Sequence, residues 1–253
     1  MRLDGKVVIV TGAGSGIGAN IAIRMAREGA ILVLNDLNET GLTRTAADIE
    51  GLGARVAFVR GDISDGRHYA ALVAEADARY GRLDVVVNNA GWSYQNKPMT
   101  EVTEAEFDRV LTVNLKSIYM SVIHAVPIMI RSGGGSFINI ASVAGIRASA
   151  GLSWYGASKA AVIAASSGIA VELGSKNLRS NCINPGFNPD TGLADAFMGG
   201  ELDSARRASV LSKVPLNRLC SSSDIAAAAV FLASDEAAFI TGTCITVDGG
   251  RAA

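Results

Sequence analysis

Lys6–Gly18 reads KVVIVTGAGSGIG, a nearly all-apolar run, Lys6 to Val10, that passes directly into a glycine loop, Thr11 to Gly18. A short, valine-rich run with no polar alternation predicts a strand covered on both faces. From about Ile17 to Glu28 the pattern is helical, and Gly29 stops it. Strand, glycine loop and helix form the setting in which such a loop holds a dinucleotide. Gly12 permits the tight turn, and Gly16 and Gly18 are expected to let backbone and helix N-terminus approach a pyrophosphate whose charge meets free N–H groups. Gly12, Ser15, Gly16, Ile17 and Gly18 are therefore the first expected cofactor contacts.

A second strand, Ala30 to Asn35 (AILVLN), ends at Asp36, twenty residues past Gly16. A carboxylate there can accept hydrogen bonds from both adenosine ribose hydroxyls and repels a 2′-phosphate. Ser15 and Leu37 flank the site, and neither is a cation. The pattern favours NAD over NADP.

The alternation continues outward. Glu39 to Gly51 reads as helix, Ala54 to Arg60 as strand, Asp65 to Tyr80 as helix, and Leu83 to Asn88 as a strand running into Asn88-Asn89-Ala90-Gly91. Thr103 to Arg131 reads as a long helix kinked near Pro127, Phe137 to Ala141 as a buried strand, and Leu178 to Asn184 as the next. A helix over Ser223 to Ala233 and a strand over Cys244 to Val247 close the chain. Strands alternating with helices imply right-handed crossovers, hence a doubly wound, seven-stranded parallel sheet in one α/β domain spanning 1–253. Ligands gather at the carboxyl ends of such strands, where Gly12, Asp36, Asp62 and Asn89 fall.

Composition agrees with a compact enzyme: 49% hydrophobic, 19% charged and 28 glycines in 253 residues. A net charge of −1 offers no attraction for nucleic acid or an anionic membrane. Cys182, Cys220 and Cys244 are far apart and show no metal-binding spacing, so they read as buried thiols, and no metal is expected. The first strand begins without a long apolar leader, and no run reaches 18 apolar residues, so a cytoplasmic protein with no membrane span is expected.

Chemistry concentrates between Ser142 and Lys159 (SVAGIRASAGLSWYGASK). Ser142 closes the Phe137–Ala141 strand. Tyr155 and Lys159 stand four apart and share a helix face within a segment reaching about Lys176. A phenol ionises near pH 10, about three units too high for a base at neutrality, a gap of roughly 4 kcal/mol. A nearby ammonium is expected to narrow that gap. Tyr155 could then trade a proton with a substrate oxygen that Ser142 polarises.

Together these residues resemble the short-chain dehydrogenase/reductase family over essentially the full length. The matching features are Thr11-Gly12 with Gly16 and Gly18, Asp62, Asn88 to Gly91, Asn114, Ser142, Tyr155 with Lys159, Asn184-Pro185-Gly186, and Val247 to Gly250. The resemblance implies a Rossmann fold. It further implies that Asp62 and Ile63 bracket the adenine and that Asn89, Ala90 and Gly91 line the cofactor. Lys159 would hydrogen-bond the nicotinamide ribose, and Asn114 would hold a proton-relaying water. It implies a homotetramer, for which an Ala-rich face on the 153 to 176 helix would serve. The family places a Thr four residues after the Gly of Pro185-Gly186 against the carboxamide. Here Thr191 stands five after Gly186, and Asn188 is the alternative.

The substrate side is less regular. The 187–213 region, with a helical stretch from Gly192 to about Lys213, reads as a small lid hinged near Gly199-Gly200, with Leu193, Phe197 and Met198 as pocket walls. Trp92, Arg147 and Trp154 are further pocket candidates, and Arg147 could steer an anion. His68 and His124 lie away from every motif. The reaction expected is NAD(H)-dependent interconversion of a secondary alcohol and a ketone of small size. Alternatives are a 3-oxoacyl thioester reductase, a sugar 1-dehydrogenase, and a nucleotide-binding regulator on the same fold. A dehalogenating lyase would have Arg in place of Lys159.

Overall fold

The computed structural model describes residues 1–199 and 203–253; of the expected lid hinge, Gly200 lies outside the described residues. In chain order the strands are β1 (Val7–Thr11), β2 (Ile31–Asp36), β3 (Val56–Arg60), β4 (Val85–Asn88), β5 (Gly135–Ile140), β6 (Leu178–Pro185) and β7 (Cys244–Val247). All pair in parallel, in the order β3-β2-β1-β4-β5-β6-β7. The order reverses between β1 and β4, and the crevice that opens at such a point is where doubly wound sheets take ligands.

The unbroken apolar runs now have a cause. Val8 and Val10 of β1, Leu32 and Leu34 of β2, and Val85 and Val87 of β4 pack into one core layer. Val7, Ile9, Ile31, Val33 and Val86 pack into the opposite layer. Successive residues of a strand point to opposite faces, so a sheet buried on both must be apolar throughout. The first layer is closed by α1 (Gly16–Arg27), α2 (Glu39–Glu50) and α9 (Ser222–Ala233), the second by α3 (Gly66–Tyr80) and α5 (Ser117–Arg131).

α4 (Glu104–Leu111) runs through a π-helical turn, Thr112–Lys116, into α5. The irregularity expected near Pro127 is therefore displaced: Pro127 sits within continuous α-helix, and the helix changes type around Asn114. By length and composition alone this Glu104–Arg131 run is apolar enough to cross a membrane, which counting uninterrupted apolar residues missed. Here Ala125, Ile128 and Met129 of α5 belong to the core layer on the sheet. α6 (Ser153–Leu173) is followed, within the expected helical stretch, by two short helices, α7 (Ala194–Met198) and α8 (Ser204–Leu211). α9 begins at Ser222, just ahead of the expected Ser223, because Ser221 and Asp224 form a capping box.

Beneath the site the middle strands carry a buried polar chain. The Tyr69 hydroxyl meets Asn88 Oδ1 at 3.1 Å, and Asn88 Nδ2 donates to Ser121 Oγ at 3.0 Å and Asn139 Oδ1 at 2.9 Å. Asn139 Nδ2 donates to Ser166 Oγ at 3.0 Å and Ser180 Oγ at 3.2 Å. Each amide in this chain is satisfied, as burial demands.

Candidate active site

The glycine loop lies at the carboxyl end of β1. Gly12 has φ +66°, and a Cβ there would stand 2.8 Å from Asn89 Nδ2 and 3.0 Å from the Ala90 Cα. A Cβ on Gly18 would overlap the Gly12 carbonyl oxygen. Gly18 therefore serves close packing of α1 on the strand, and it is not among the residues that line the cleft. Gly16 differs: its nearest neighbours across the gap are Asp190 O at 3.6 Å and Thr191 Cα at 3.7 Å. Its missing side chain keeps a passage open between the loop and the 190–191 turn. The N-cap residue of α1, Ser15, makes no side-chain capping bond, so the helix N-terminus faces that passage uncapped. An open, donor-rich cradle of this kind fits a dinucleotide phosphate.

A cleft of about 320 Å³ runs along this end of the sheet. Of the expected residues, Gly12, Ser15, Gly16, Ile17, Asp36, Asn89, Ala90, Gly91, Ser142, Tyr155, Lys159, Pro185, Gly186, Asn188 and Thr191 line it. Asp36 is held in place: Oδ2 accepts from Gly14 N at 2.8 Å and Oδ1 from Asn38 N at 2.9 Å. Arg44, which the sequence did not single out, reaches from α2 to the Gly14 carbonyl at 3.3 Å.

Asp62 and Ile63 do not line this cleft. The Asp62 carboxylate turns onto Ser64, accepting from its N at 2.9 Å and its Oγ at 2.6 Å, and the Ile63 side chain is buried in the second core layer. Asn188 is also committed elsewhere. Its Nδ2 donates to Ser222 Oγ at 3.0 Å and its Oδ1 accepts from Asp190 N at 2.9 Å. The Thr191 hydroxyl donates to Asn188 O at 3.1 Å and keeps its lone pairs as acceptors.

Ser142, two residues past β5, caps a short 3₁₀ turn by accepting from Ala144 N at 3.1 Å, so its own hydrogen stays available. That turn packs on α6 without side-chain spacers: a Cβ on Gly145 would stand 2.8 Å from the Lys159 carbonyl carbon, and one on Gly156 2.7 Å from Ala144 O. Two glycines thus let the strand end and the helix close on each other. Tyr155 and Lys159 are both 4% exposed. Lys159 Nζ donates to Ile140 O at 2.9 Å and lies 5.8 Å from the centre of the Tyr155 ring.

Burial works against the expected lowering of the phenol. Burial pushes Tyr155 up to about 12, with the Ser142 hydroxyl pulling the other way. Burial also brings Lys159 down to about 8. For each group burial is the largest cause, since removal from water disfavours its charged form. A phenol held at about 12 keeps its proton at neutral pH and can donate it in a hydrogen bond.

Asn114 sits in the π-helical turn, buried behind Lys159. Its Oδ1 accepts from Trp92 N at 2.8 Å, and its Nδ2 donates to Trp92 O at 3.0 Å and Ser158 Oγ at 2.9 Å. Both amide hydrogens and one lone pair are thereby used inside the protein.

A second pocket, about 520 Å³, shares Ser142, Tyr155, Pro185, Gly186 and Phe197 with the first. The Phe197 ring lies 5.0 Å from that of Tyr155, and Leu193 and Met198 wall the first and second pockets respectively. Asn96, unmarked in the sequence, clasps this region: its N donates to Ala196 O at 2.8 Å, and its Nδ2 to Ala150 O at 3.2 Å and Phe197 O at 3.3 Å. Arg147 lines the second pocket, but the two tryptophans do not. Trp92 stacks under the Arg109 guanidinium at 4.5 Å, and Trp154 packs edge-on to Phe107 at 5.4 Å in a satellite core. His68 accepts from Asp62 N and His124 stacks on Tyr69, outside both pockets. Among the described residues no group of three or more His, Cys, Asp or Glu could hold a metal ion.

Fold and site together define an oxidoreductase of the nicotinamide-using α/β class. The family model described as enoyl-(acyl carrier protein) reductase matches residues 12–252. A 4-formylbenzenesulfonate dehydrogenase of Comamonas testosteroni is 45% identical over 99% of each chain. A 3-oxoacyl-[acyl-carrier-protein] reductase of Thermotoga maritima is 36% identical, again over 99% of each. The crystal structure of a 3-ketoacyl-(acyl-carrier-protein) reductase from Brucella melitensis, complexed with NADH, matches with a TM-score of 0.92 at 33% identity, covering 99% of this chain and 100% of that one. The chain belongs to the short-chain dehydrogenase/reductase family.

Proposed function

We propose that this chain is an NAD(H)-dependent dehydrogenase/reductase that interconverts a secondary alcohol and a ketone on a small molecule. The observation carrying the reading is the junction of the two pockets at Ser142 and Tyr155, one pocket framed by the glycine loop and Asp36, the other walled by both apolar and polar side chains. A nicotinamide held in the first supplies or accepts the hydride. Tyr155 gives its proton to the carbonyl oxygen as that oxygen gains charge, and Ser142 donates a hydrogen bond to the same oxygen. Lys159, tied by one N–H to Ile140 O, has further donors for a ribose hydroxyl. Asn114 holds the Lys159 end of the site, and a water on its remaining lone pair would relay protons outward. Thr191 takes the carboxamide contact, Asp62 and the Ile63 backbone the adenine edge.

NAD is the preferred form because the fixed Asp36 carboxylate would face a 2′-phosphate. Kinetics with NADH and NADPH over a panel of ketones, acetoacetyl thioester included, test this. Equal rates with the two cofactors would remove the NAD preference. Best turnover of the thioester would select the acyl-thioester alternative, favoured by the 36% relative. Turnover of no substrate would favour the regulator. We place the enzyme in the cytoplasm, with no nucleic-acid partner, as a homotetramer. One pairing face is on α5 and α6, where Tyr119 is 59% and Val171 88% exposed beside a hollow lined by Leu111, Leu115 and Ile118. A second is the open edge at β7, near the fully exposed Phe239. Sedimentation of the protein as a monomer would contradict the assembly.

A further inference from the structure

Beyond the shared Ser142 and Tyr155, the second pocket has an apolar body, with Val143, Leu152, Phe187 and Val210 among its walls, and a rim of unusual charge. Arg147, Lys213 and Arg251 all line it, and no Asp or Glu does. The chain as a whole carries 23 Lys and Arg against 24 Asp and Glu, so three cations without an acid is a local departure. Most other guanidinium groups of the surface are matched: Arg2 with Glu236, Arg82 with Asp84, Arg131 with Asp77, Arg218 with Asp224. Among the described residues none of the three rim cations is in an ion pair. They arrive from three places in the chain, the loop after β5, the end of α8 and the C-terminal turn.

Two of them are held together by backbone. Arg147 Nη1 donates to Arg251 O at 2.7 Å. The turn carrying Arg251 is fixed by Asp248, whose Oδ1 accepts from Gly250 N at 2.9 Å and Oδ2 from Ala252 N at 2.7 Å. That carboxylate is buried in the turn and spent on its amides. Like charges gathered in this way repel, and an anion between them relieves the repulsion. A cofactor phosphate is not that anion, because none of the three lines the cleft of the glycine loop.

We propose that the substrate is an anion, an apolar ring or short chain bearing a carboxylate or sulfonate, and that Arg147, Lys213 and Arg251 receive its charged end while Ser142 and Tyr155 address its oxygen. The proposal rests on the redox reading above for the identity of the second pocket. Its test is calorimetric titration of the NADH-loaded protein with benzoate and benzenesulfonate against benzamide, joined to kinetics with 4-oxocyclohexanecarboxylate against its methyl ester. The anions are expected to bind at least about tenfold more tightly than the amide. The preference should shrink from about 0.01 to about 1 M salt, as screening lengths fall. The triple change Arg147→Gln, Lys213→Gln, Arg251→Gln should bring both the binding and the kcat/KM ratios toward one, and Arg147→Lys should retain part of them. The distant, exposed Lys176→Gln should leave both ratios as they are. Equal binding of anion and amide, or a preference that survives the triple change, overturns the proposal. Loss of selectivity with neutral ketones still reduced would remove the anion site alone; selective binding with no carbonyl turned over would remove the redox reading and keep the site.

Discussion

The two pockets that meet at Tyr155 are built from different materials. The side proposed for the cofactor is made of backbone: a glycine loop, an uncapped helix end and a carboxylate pinned by two main-chain amides. The side proposed for the substrate is made of side chains from the 142–152 loop, two short helices and the C-terminal turn, clasped by Asn96. Backbone geometry depends on a few obligatory residues at fixed spacing. Side-chain walls can be changed one residue at a time, which is how one fold takes many substrates.

The largest effect is expected where the two sides join. Tyr155→Phe should lower kcat/KM by about 10²–10⁴-fold, the range of a lost general acid, with NADH binding retained by fluorescence titration. Near-full activity would mean that neither side is organised around the phenol. On the backbone side Gly18→Ala should cost about 1–3 kcal/mol of stability, read as a lowered Tm, because its Cβ has no room beside the Gly12 carbonyl. Asp36→Asn should raise NADPH efficiency relative to NADH by about tenfold through loss of one repulsive charge, with Arg44 close by to favour the phosphate. No change in that ratio would show that the loop, and not the carboxylate, selects the cofactor. On the side-chain side Asn96→Ala removes two hydrogen bonds to 150 and 197, and substrate KM should rise about fivefold while the Kd for NADH stays put.

The last check is a pH profile. Lys159 is shifted down to about 8, so between that value and its ordinary 10.5 the unfolded chain binds more protons than the folded one. Its contribution to stability is therefore unfavourable below pH 8 and is relieved as pH rises toward 10.5. The Tm of Lys159→Met minus that of the native chain should accordingly fall across this window. A flat difference would show that Lys159 is not desolvated.

The same contrast governs what was legible in the sequence. Val7 to Gly18 and Asp36 could be read because consecutive apolar residues and spaced glycines have few other uses. Ser142, Tyr155 and Lys159 could be placed by spacing, yet their proton affinities could not, since spacing shows a neighbouring charge and not burial. Aromatic residues beside motifs misled: Trp92 and Trp154 pack in a satellite core. Asn188, the alternative carboxamide contact, is tied to Ser222 of α9 and to the backbone of its own turn. Lys213 and Arg251 carried no local signal, because only tertiary convergence with Arg147 gives them meaning.

Asn139 shows what an apolar strand can hide. It pairs in register with Asn88 across β4 and β5, and its amide finds Ser166 on α6 and Ser180 on β6. If β5 slid by a single position, Asn139 would turn its amide into hydrocarbon and leave three partners stranded. The polar chain thus acts as an address label for the middle of the sheet: it rejects near-miss pairings of valine-rich strands that greasy contacts alone would tolerate.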